Sequence, residues 1–397
     1  MCFLCEFNRQ IELKTGGYNY RSTAMRAIAA NELIGEDLAT FTRGQLNRDG
    51  FIDIYLHTPG GAVTVGGGSF GSQTISSLPI SAADQQFLQE IVRFLDQRLD
   101  AEFRFTSDKE VSDIQLYYDS EINLGGDILG LATTNNEAGR DWWELFINAP
   151  AFGADLKYLR YSLIHELGHS LGLEHPFDIT DGDAVNGISD PWTSAYPEET
   201  VMAYRSPSAG SWPNAYTVND LEALVSIWGA ETQVFSNHSE QIFGGDYSEV
   251  IIAAGGDDAL FGAGGNDDLL GGRGFDLVRG GPGDDVVRGG KNADQLYSGS
   301  GSDTLRGGRG HDQLTGGVGD DLYWGGSGAD LFRFTSGNDT VFDFNIFDAD
   351  RLGLEAGLNY SIAQQGNDLL VQTSLGTITL MGINITEFDV NTQIINL

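Results

Sequence analysis

The residues best suited to chemistry fall in one short stretch, His165-Glu166-x-x-His169-x-x-Gly172-x-x-His175. His165 and His169 are four apart, so on an α-helix they lie about 40° apart on one face and can chelate a single metal. Were the helix to continue, His175 would sit about 9 Å further along the axis. That is out of reach of a zinc–nitrogen bond of about 2.1 Å. Gly172 removes the obstacle, because glycine takes the left-handed conformation that ends a helix and turns the chain back. Three neutral imidazoles leave a coordination position open to water, which distinguishes a catalytic zinc site from a structural one. Glu166 lies about 100° around the helix from its neighbour. It reaches that water without binding the metal, takes its proton, and can deliver the proton to a leaving amine.

These groups need rigid elements. The spacing predicts a helix over Asp155–Leu171, with Leu156, Leu159, Leu163 and Leu167 as an apolar stripe opposite the ligands. A second amphipathic helix is expected over Ile80–Leu99, capped by Ser81, with Phe87, Ile91, Phe94, Leu95 and Leu99 on one face. A third follows Thr217 over Val218–Trp228. Strand-like runs occur at Glu102–Thr106, Ile114–Tyr118 and Leu145–Asn148. Together they predict an α/β domain, a mixed twisted sheet with long helices.

The C-terminal half has another texture. From Gly244 to Arg333 the sequence divides, without insertion or deletion, into ten units of nine residues. The sixth position reads Glu249, Asp258, Asp267, Asp276, Asp285, Asp294, Asp303, Asp312, Asp321 and Asp330, and the eighth is always apolar or aromatic. This is the G-G-x-G-x-D-x-U-x pattern of calcium-binding RTX repeats. Its glycines permit a tight turn at positive φ, and turn carbonyls with the Asp carboxylates offer the hard oxygens that calcium prefers. The last three residues of each unit are expected to form a short strand whose eighth position points inward. Two units make one turn, so the ten predict an all-β parallel β-roll of five turns. The first unit has Tyr247 and Glu249 in place of Gly and Asp, and the sixth has Asn292 in place of Gly. The tail, 334–397, alternates apolar and polar residues and is expected to be a β-rich cap.

Composition narrows the function. With 57 acidic and 22 basic residues the chain carries a net charge of −35. That disfavours nucleic acid as a partner and calls for cations to offset self-repulsion. Residues 244–333 hold 15 acidic and 7 basic residues, so the acidity extends over the whole polypeptide. No run of 18 apolar residues is present, which excludes an ordinary transmembrane helix. The first residues, with Cys2, Cys5, Glu6 and Arg9, lack a basic leader followed by an apolar run, so a Sec-type signal peptide is not expected. Cys2 and Cys5 are the only cysteines, and no disulfide can tie the body together. Three weaker patterns are set aside. Gly66-x-Gly68-x-x-Gly71 is followed by a strand-like run and Pro79 instead of a helix. Asn47-Arg48-Asp49-Gly50 lacks the acidic residues an EF-hand needs. The loop Asp178-x-x-Asp181-x-Asp183 reads as solvated, with cation binding as the alternative.

The extended histidine motif followed by a Met-turn is the metzincin signature. Val201-Met202-Ala203-Tyr204, 27 residues after His175, resembles that turn. With the RTX repeats, the chain resembles the serralysin family over about residues 75–235 and 244–397. The resemblance implies that Met202 forms an apolar floor beneath the zinc. It implies that Tyr204 ligates zinc at rest and swings to stabilise the oxyanion. It also implies calcium between turns n and n+2, at up to eight places. Its partners would be protein and peptide substrates, a type I secretion apparatus and a proteinaceous protease inhibitor. The protein would be a monomer without stable membrane association, secreted by a C-terminal signal. The corresponding domains are the zinc domain (61–235), a linker (236–243), the calcium-binding roll (244–333) and the cap (334–397); the segment before them (1–60) lies outside the resemblance and reads as a removable prosegment. The linker is shorter than in serralysins, and the end of the chain, Asp389–Leu397, matches theirs only loosely. Two other readings stay open: a calcium-dependent adhesion or surface-array protein with a vestigial zinc domain, against which the intact Glu166 argues, and a non-peptide hydrolase using the same zinc water.

Overall fold

Strand-forming runs and amphipathic helices separate from the glycine-rich repeats as two units, divided between Glu231 and Thr232. The computed structural model describes residues 33–46, 50–66, 71–119, 129–137, 140–175, 195, 197, 199–203, 207 and 212–397.

In the first unit the described elements are α1 (Glu36–Leu46), β1 (Phe51–Leu56), β2 (Gly61–Val65), β3 (Gln73–Leu78), α2 (Ala82–Asp96), β4 (Glu102–Thr106), β5 (Ile114–Asp119), β6 (Gly130–Glu137), β7 (Arg140–Ile147), α3 (Leu156–Ser170) and α4 (Val218–Trp228). β1 runs parallel to β4 and β5, and β7 lies parallel to β5. The β2–β3 hairpin and β6 attach antiparallel, giving a mixed seven-stranded sheet. Ser81 caps α2 by accepting from the Asp84 amide, as expected, and Thr217 forms a capping box with Asp220; α3 starts one residue later than expected, with Asp155 as its cap accepting from the Tyr158 amide. Ile52, Ile114, Leu116, Leu145, Ile147 and Leu163 are among the fully buried side chains that join sheet and helices. Leu156, expected in the apolar stripe of α3, is instead exposed at the first turn, while Leu159, Leu163 and Leu167 are buried.

The boundary at residue 60 does not hold. β1, assigned by sequence to a removable segment, pairs on both sides within the sheet. α1 packs near the end of α3, where Thr42 donates to the Ser170 carbonyl (2.8 Å) and Gly35 to the Gly172 carbonyl (3.0 Å). Residues 33–46 and 50–56 are therefore integral to the unit that holds the histidines.

In the second unit, alternate strands feed two sheets. One takes β8 (Thr232–Val234), β10 (Val250–Ile252), β12 (Asp268–Arg273), β14 (Val286–Lys291), β16 (Thr304–Arg309) and β18 (Leu322–Ser327). The other takes β9 (Gln241–Phe243), β11 (Ala259–Phe261), β13 (Leu277–Pro282), β15 (Gln295–Ser300), β17 (Gln313–Val318) and β19 (Leu331–Arg333). Each strand pairs in parallel with the one 18 residues on, as Leu269 with Val287 and Leu305 with Tyr323. The eighth positions, Ile251 through Phe332, form the buried stack between the sheets. Two corrections follow. β10, β11 and β19 have the expected three residues, but β12 to β18 run through the paired glycines for six, because those glycines also pair, Gly272 with Gly290 and then Gly308. And 236–243 is no linker: β8 and β9 already belong to the two sheets. The sheets continue past residue 333 through β20 (Gly337–Val341), β21 (Arg351–Leu354), β22 (Tyr360–Gln365), β23 (Asp368–Thr373), β24 (Gly376–Leu380) and β25 (Ile394–Asn396), the last preceded by the short helix α5 (Val390–Gln393).

Candidate metal sites

α3 ends where the sequence requires it to. Gly172 has φ +104°, its amide donates to the His169 carbonyl (3.1 Å), and the Leu173 amide donates to the Gly168 carbonyl (2.9 Å). This pair of bonds is a Schellman motif, and it turns the chain back toward the helix face. His175 is thereby delivered to the two helical histidines. Its Nε2 lies 3.2 Å from His165 Nε2 and 3.1 Å from His169 Nε2.

The other ring nitrogens fix the tautomers. His165 Nδ1 donates to the Val201 carbonyl (2.7 Å) and His169 Nδ1 to the Leu173 carbonyl (2.9 Å). A carbonyl can only accept, so both Nε2 atoms carry lone pairs toward His175. Burial pushes His165 down to about 4 and His169 down to about 3, and His175 well below its ordinary value. Neutral imidazoles therefore converge, with the lone pairs of His165 and His169 both directed at His175, an arrangement that one shared cation satisfies. Three tetrahedral ligands about 2.1 Å from one centre stand about 3.4 Å apart, close to the spacing found. The donor set fits zinc.

Glu166 is buried beside this cluster, and burial pushes its carboxyl up to about 8. A Cβ placed on Gly130, at the start of β6, would lie 2.2 Å from Glu166 Oε1, so only glycine leaves the carboxylate its space. Met202 is fully buried with its sulfur against Gly168, between the two helical ligands. Tyr204 and the acidic loop Asp178, Asp181 and Asp183 lie outside the described residues, as do Cys2 and Cys5.

Sequence reasoning missed how the segment around Met202 is anchored. The buried Asp220 carboxylate accepts from Thr200 Oγ1 (2.5 Å), the Val201 amide (3.0 Å) and the Thr217 amide (2.8 Å). It thus holds Val201, whose carbonyl orients His165. The capping-box spacing of Thr217 and Asp220 was the only signal.

The roll builds a different kind of site. From Asp258 to Asp321 the backbone amide of each repeat Asp donates to Oδ1 of the Asp 18 residues later, as Asp276 to Asp294 and Asp294 to Asp312 (2.9 and 2.8 Å). Asp258, Asp267, Asp276, Asp285, Asp294, Asp303, Asp312, Asp321 and Asp330 are all buried. In Asp258, Asp276, Asp285, Asp294, Asp303, Asp312, Asp321 and Asp330 the other oxygen, Oδ2, is buried without a hydrogen-bond partner among the described residues. A Cβ on Gly280 would fall 2.1 Å from Asp285 Oδ2 and 2.7 Å from the Ser298 carbonyl, marking a cradle of hard oxygens between successive turns. Orphaned buried carboxylate oxygens facing carbonyls are what calcium satisfies. Burial raises Asp276, Asp285, Asp312, Asp321 and Asp330 to about 6 and Asp294 to about 8. The two irregular units keep the pattern: Glu249 stands in the ladder, its amide 3.0 Å from Asp267 Oδ1, and Asn292 takes the glycine's positive φ (+80°). The ladder also runs past the repeats to Asp339 and Asp350, which accept from the Asp321 and Asp330 amides. Sequence reading missed both, because the glycines and the nine-residue register fade there.

Comparison with known proteins agrees with the second unit. The family model described as the RTX calcium-binding nonapeptide repeat matches residues 243–278, 271–305 and 297–332. The chain carries RTX calcium-binding repeats. Serralysin of Proteus mirabilis is 30% identical over 103 residues, 24% of this chain and 21% of that protein. Serralysin C of Dickeya chrysanthemi is 28% identical over 110 residues, 25% of this chain and 22% of that protein. These matches fall on the repeats, and the chain spans about a fifth of the length of the relatives it matches. Among solved structures, the extracellular lipase LipA of Serratia marcescens is 20% identical over 43% of this chain and 41% of its own, with a TM-score of 0.20. The AlgE6R2 subunit of the Azotobacter vinelandii mannuronan C5-epimerase is 21% identical over 42% of this chain and 92% of its own, with a TM-score of 0.17.

Proposed function

We propose that the first unit is a zinc-dependent endopeptidase of metzincin type, within a secreted, serralysin-like protein that calcium stabilises. The observation that carries this reading is the meeting of three neutral imidazoles, two oriented by backbone carbonyls, with a buried carboxylate beside them and free of the cluster. His165, His169 and His175 would hold the zinc, which supplies Lewis acidity toward water and a peptide carbonyl. Glu166 accepts a proton from water at its carboxylate and returns it to the leaving amine. Its raised pKa falls back toward the working range when a dication lies near.

The substrate strand has a natural place. Among the described residues β6 pairs only with β7, so its outer edge is open to an extended peptide. β6 begins at Gly130, against Glu166, so a peptide added there passes the general base. Tyr204 follows Ala203, whose carbonyl accepts from the buried Tyr161 hydroxyl (2.6 Å), and is proposed as oxyanion donor. Protein and peptide substrates, export by a type I secretion apparatus directed from 334–397, a proteinaceous inhibitor and a monomeric state complete the proposal. Among the described residues no helix is long and apolar enough to cross a membrane. Casein hydrolysis by the purified chain tests it. Phenanthroline should abolish the activity and zinc restore it with calcium held constant. Undiminished hydrolysis by zinc-depleted protein refutes the assignment.

A further inference from the structure

Cations are scarce in this chain, yet five of the seven in residues 244–333 lie on three neighbouring strands of one sheet: Arg273 on β12, Arg288 and Lys291 on β14, and Arg306 and Arg309 on β16. Two of these have partners. Arg288 pairs with Asp268, and Arg306 lies 4.8 Å over the ring of Trp324. The other three stand in strict register, Arg273 opposite Lys291 and Lys291 opposite Arg309. All three side chains are exposed and make no ion pair or hydrogen bond among the described residues. Like charges directly opposite on adjacent strands destabilise a sheet by roughly 0.2–1 kcal/mol per pair. Nothing in the fold requires them, since the same unit position on the other sheet holds Pro282, Ser300 and Val318, also in register. The row begins beside Gly255 and ends beside Ser327. Together with Ala254 and Leu270, and floored by the backbone of Gly272, Gly290 and Gly308, the three cations line a cleft of about 520 Å³.

We propose that this cleft binds a linear acidic polysaccharide, its carboxylates or sulfates lying along Arg273, Lys291 and Arg309. The cations repeat at the strand spacing of about 4.8 Å, close to the repeat of an extended sugar chain that carries one anion per residue. A nucleic acid strand fits less well, because no aromatic ring lines the cleft to stack a base. The chain's overall acidity does not forbid the contact. Each calcium in the turns adds two positive charges, so four offset the net −8 of residues 244–333. Distant carboxylates are screened beyond about 8 Å at physiological ionic strength. The surface does not depend on the zinc site, and its binding can be read without any hydrolysis.

The test uses the full chain with calcium present and four immobilised probes: polygalacturonate, dextran sulfate, neutral dextran and single-stranded DNA. The protein should bind polygalacturonate, dextran sulfate or both, and the tighter of the two identifies the anion. Binding should weaken with added salt and fall at least tenfold in R273Q/K291Q/R309Q, three exposed changes that leave the roll's circular dichroism intact. A charge-matched control on the other sheet, R279Q/R333Q/R351Q, should change binding less than threefold. The proposal is overturned if neither acidic polymer binds or if neutral dextran binds equally. It is equally overturned if the two triple variants behave alike, or if single-stranded DNA binds more tightly than both polysaccharides.

Discussion

Removing calcium should unfold the roll at neutral pH and spare it in mild acid. The folded roll without metal raises Asp276, Asp285, Asp312, Asp321, Asp330 and Asp350 from their ordinary 3.8 to about 6, mainly through burial, and Asp339 and Asp294 further, to about 7 and 8. Between about pH 4 and 8 the folded form therefore binds more protons than the unfolded chain, and stability falls as pH rises through that window. From pH 5 to pH 7.5 each carboxylate near 6 costs about 1.4 kcal/mol, or roughly 1 kcal/mol after solvent screening. Six of them approach the roughly 5–15 kcal/mol that holds a domain together. Calcium reverses the sign, because it binds the ionised oxygens and couples folding to metal. Hydrogen exchange on the full chain, corrected for intrinsic rates, reads this directly. In chelator, peptides from 244–333 should lose protection at pH 7.5 and keep much of it at pH 5; with calcium they should stay protected at both. Equal protection at pH 7.5 with and without calcium would refute the reasoning.

Three further outcomes follow from the first unit. Gly172→Ala places a Cβ 2.9 Å from Ile227 Cδ1 and about 3.0 Å from Ala39 at a positive φ, so thermal stability should fall by about 1–3 kcal/mol and zinc affinity with it, read by calorimetry and metal titration. Gly130→Ala pushes against the Glu166 carboxylate; kcat should drop at least tenfold while zinc stays near one per chain. Tyr204→Phe should lower kcat by roughly 10–10³ with KM nearly constant, as expected of one lost oxyanion donor; a raised KM with constant kcat removes that role.

The histidine cluster was legible because helix geometry and one glycine dictate it: i and i+4 on one face, then a turn at Gly172 that brings His175 back. What sequence could not show were the partners made of backbone, the Val201 and Leu173 carbonyls, since any residue supplies a carbonyl. Asp220 was hidden for a related reason, because its hydrogen bonds join segments twenty residues apart. The roll was legible through its period, and its strands came out longer because glycines chosen for turns also pair across turns. α1 escaped because Glu36–Leu46 is largely polar and its fit against the end of α3 is a tertiary fact; Phe51–Leu56 is strand-like in sequence, but its place between β4 and β5 is set by long-range pairing.

On the proposed function, Glu166 does proton-transfer chemistry beside a zinc held by His165, His169 and His175. Glu166→Gln keeps the side chain's shape and removes its charge. Zinc content should stay near one per chain by elemental analysis, with kcat on a peptide substrate lowered at least ~10². Undiminished turnover by zinc-replete Glu166→Gln protein would contradict the account.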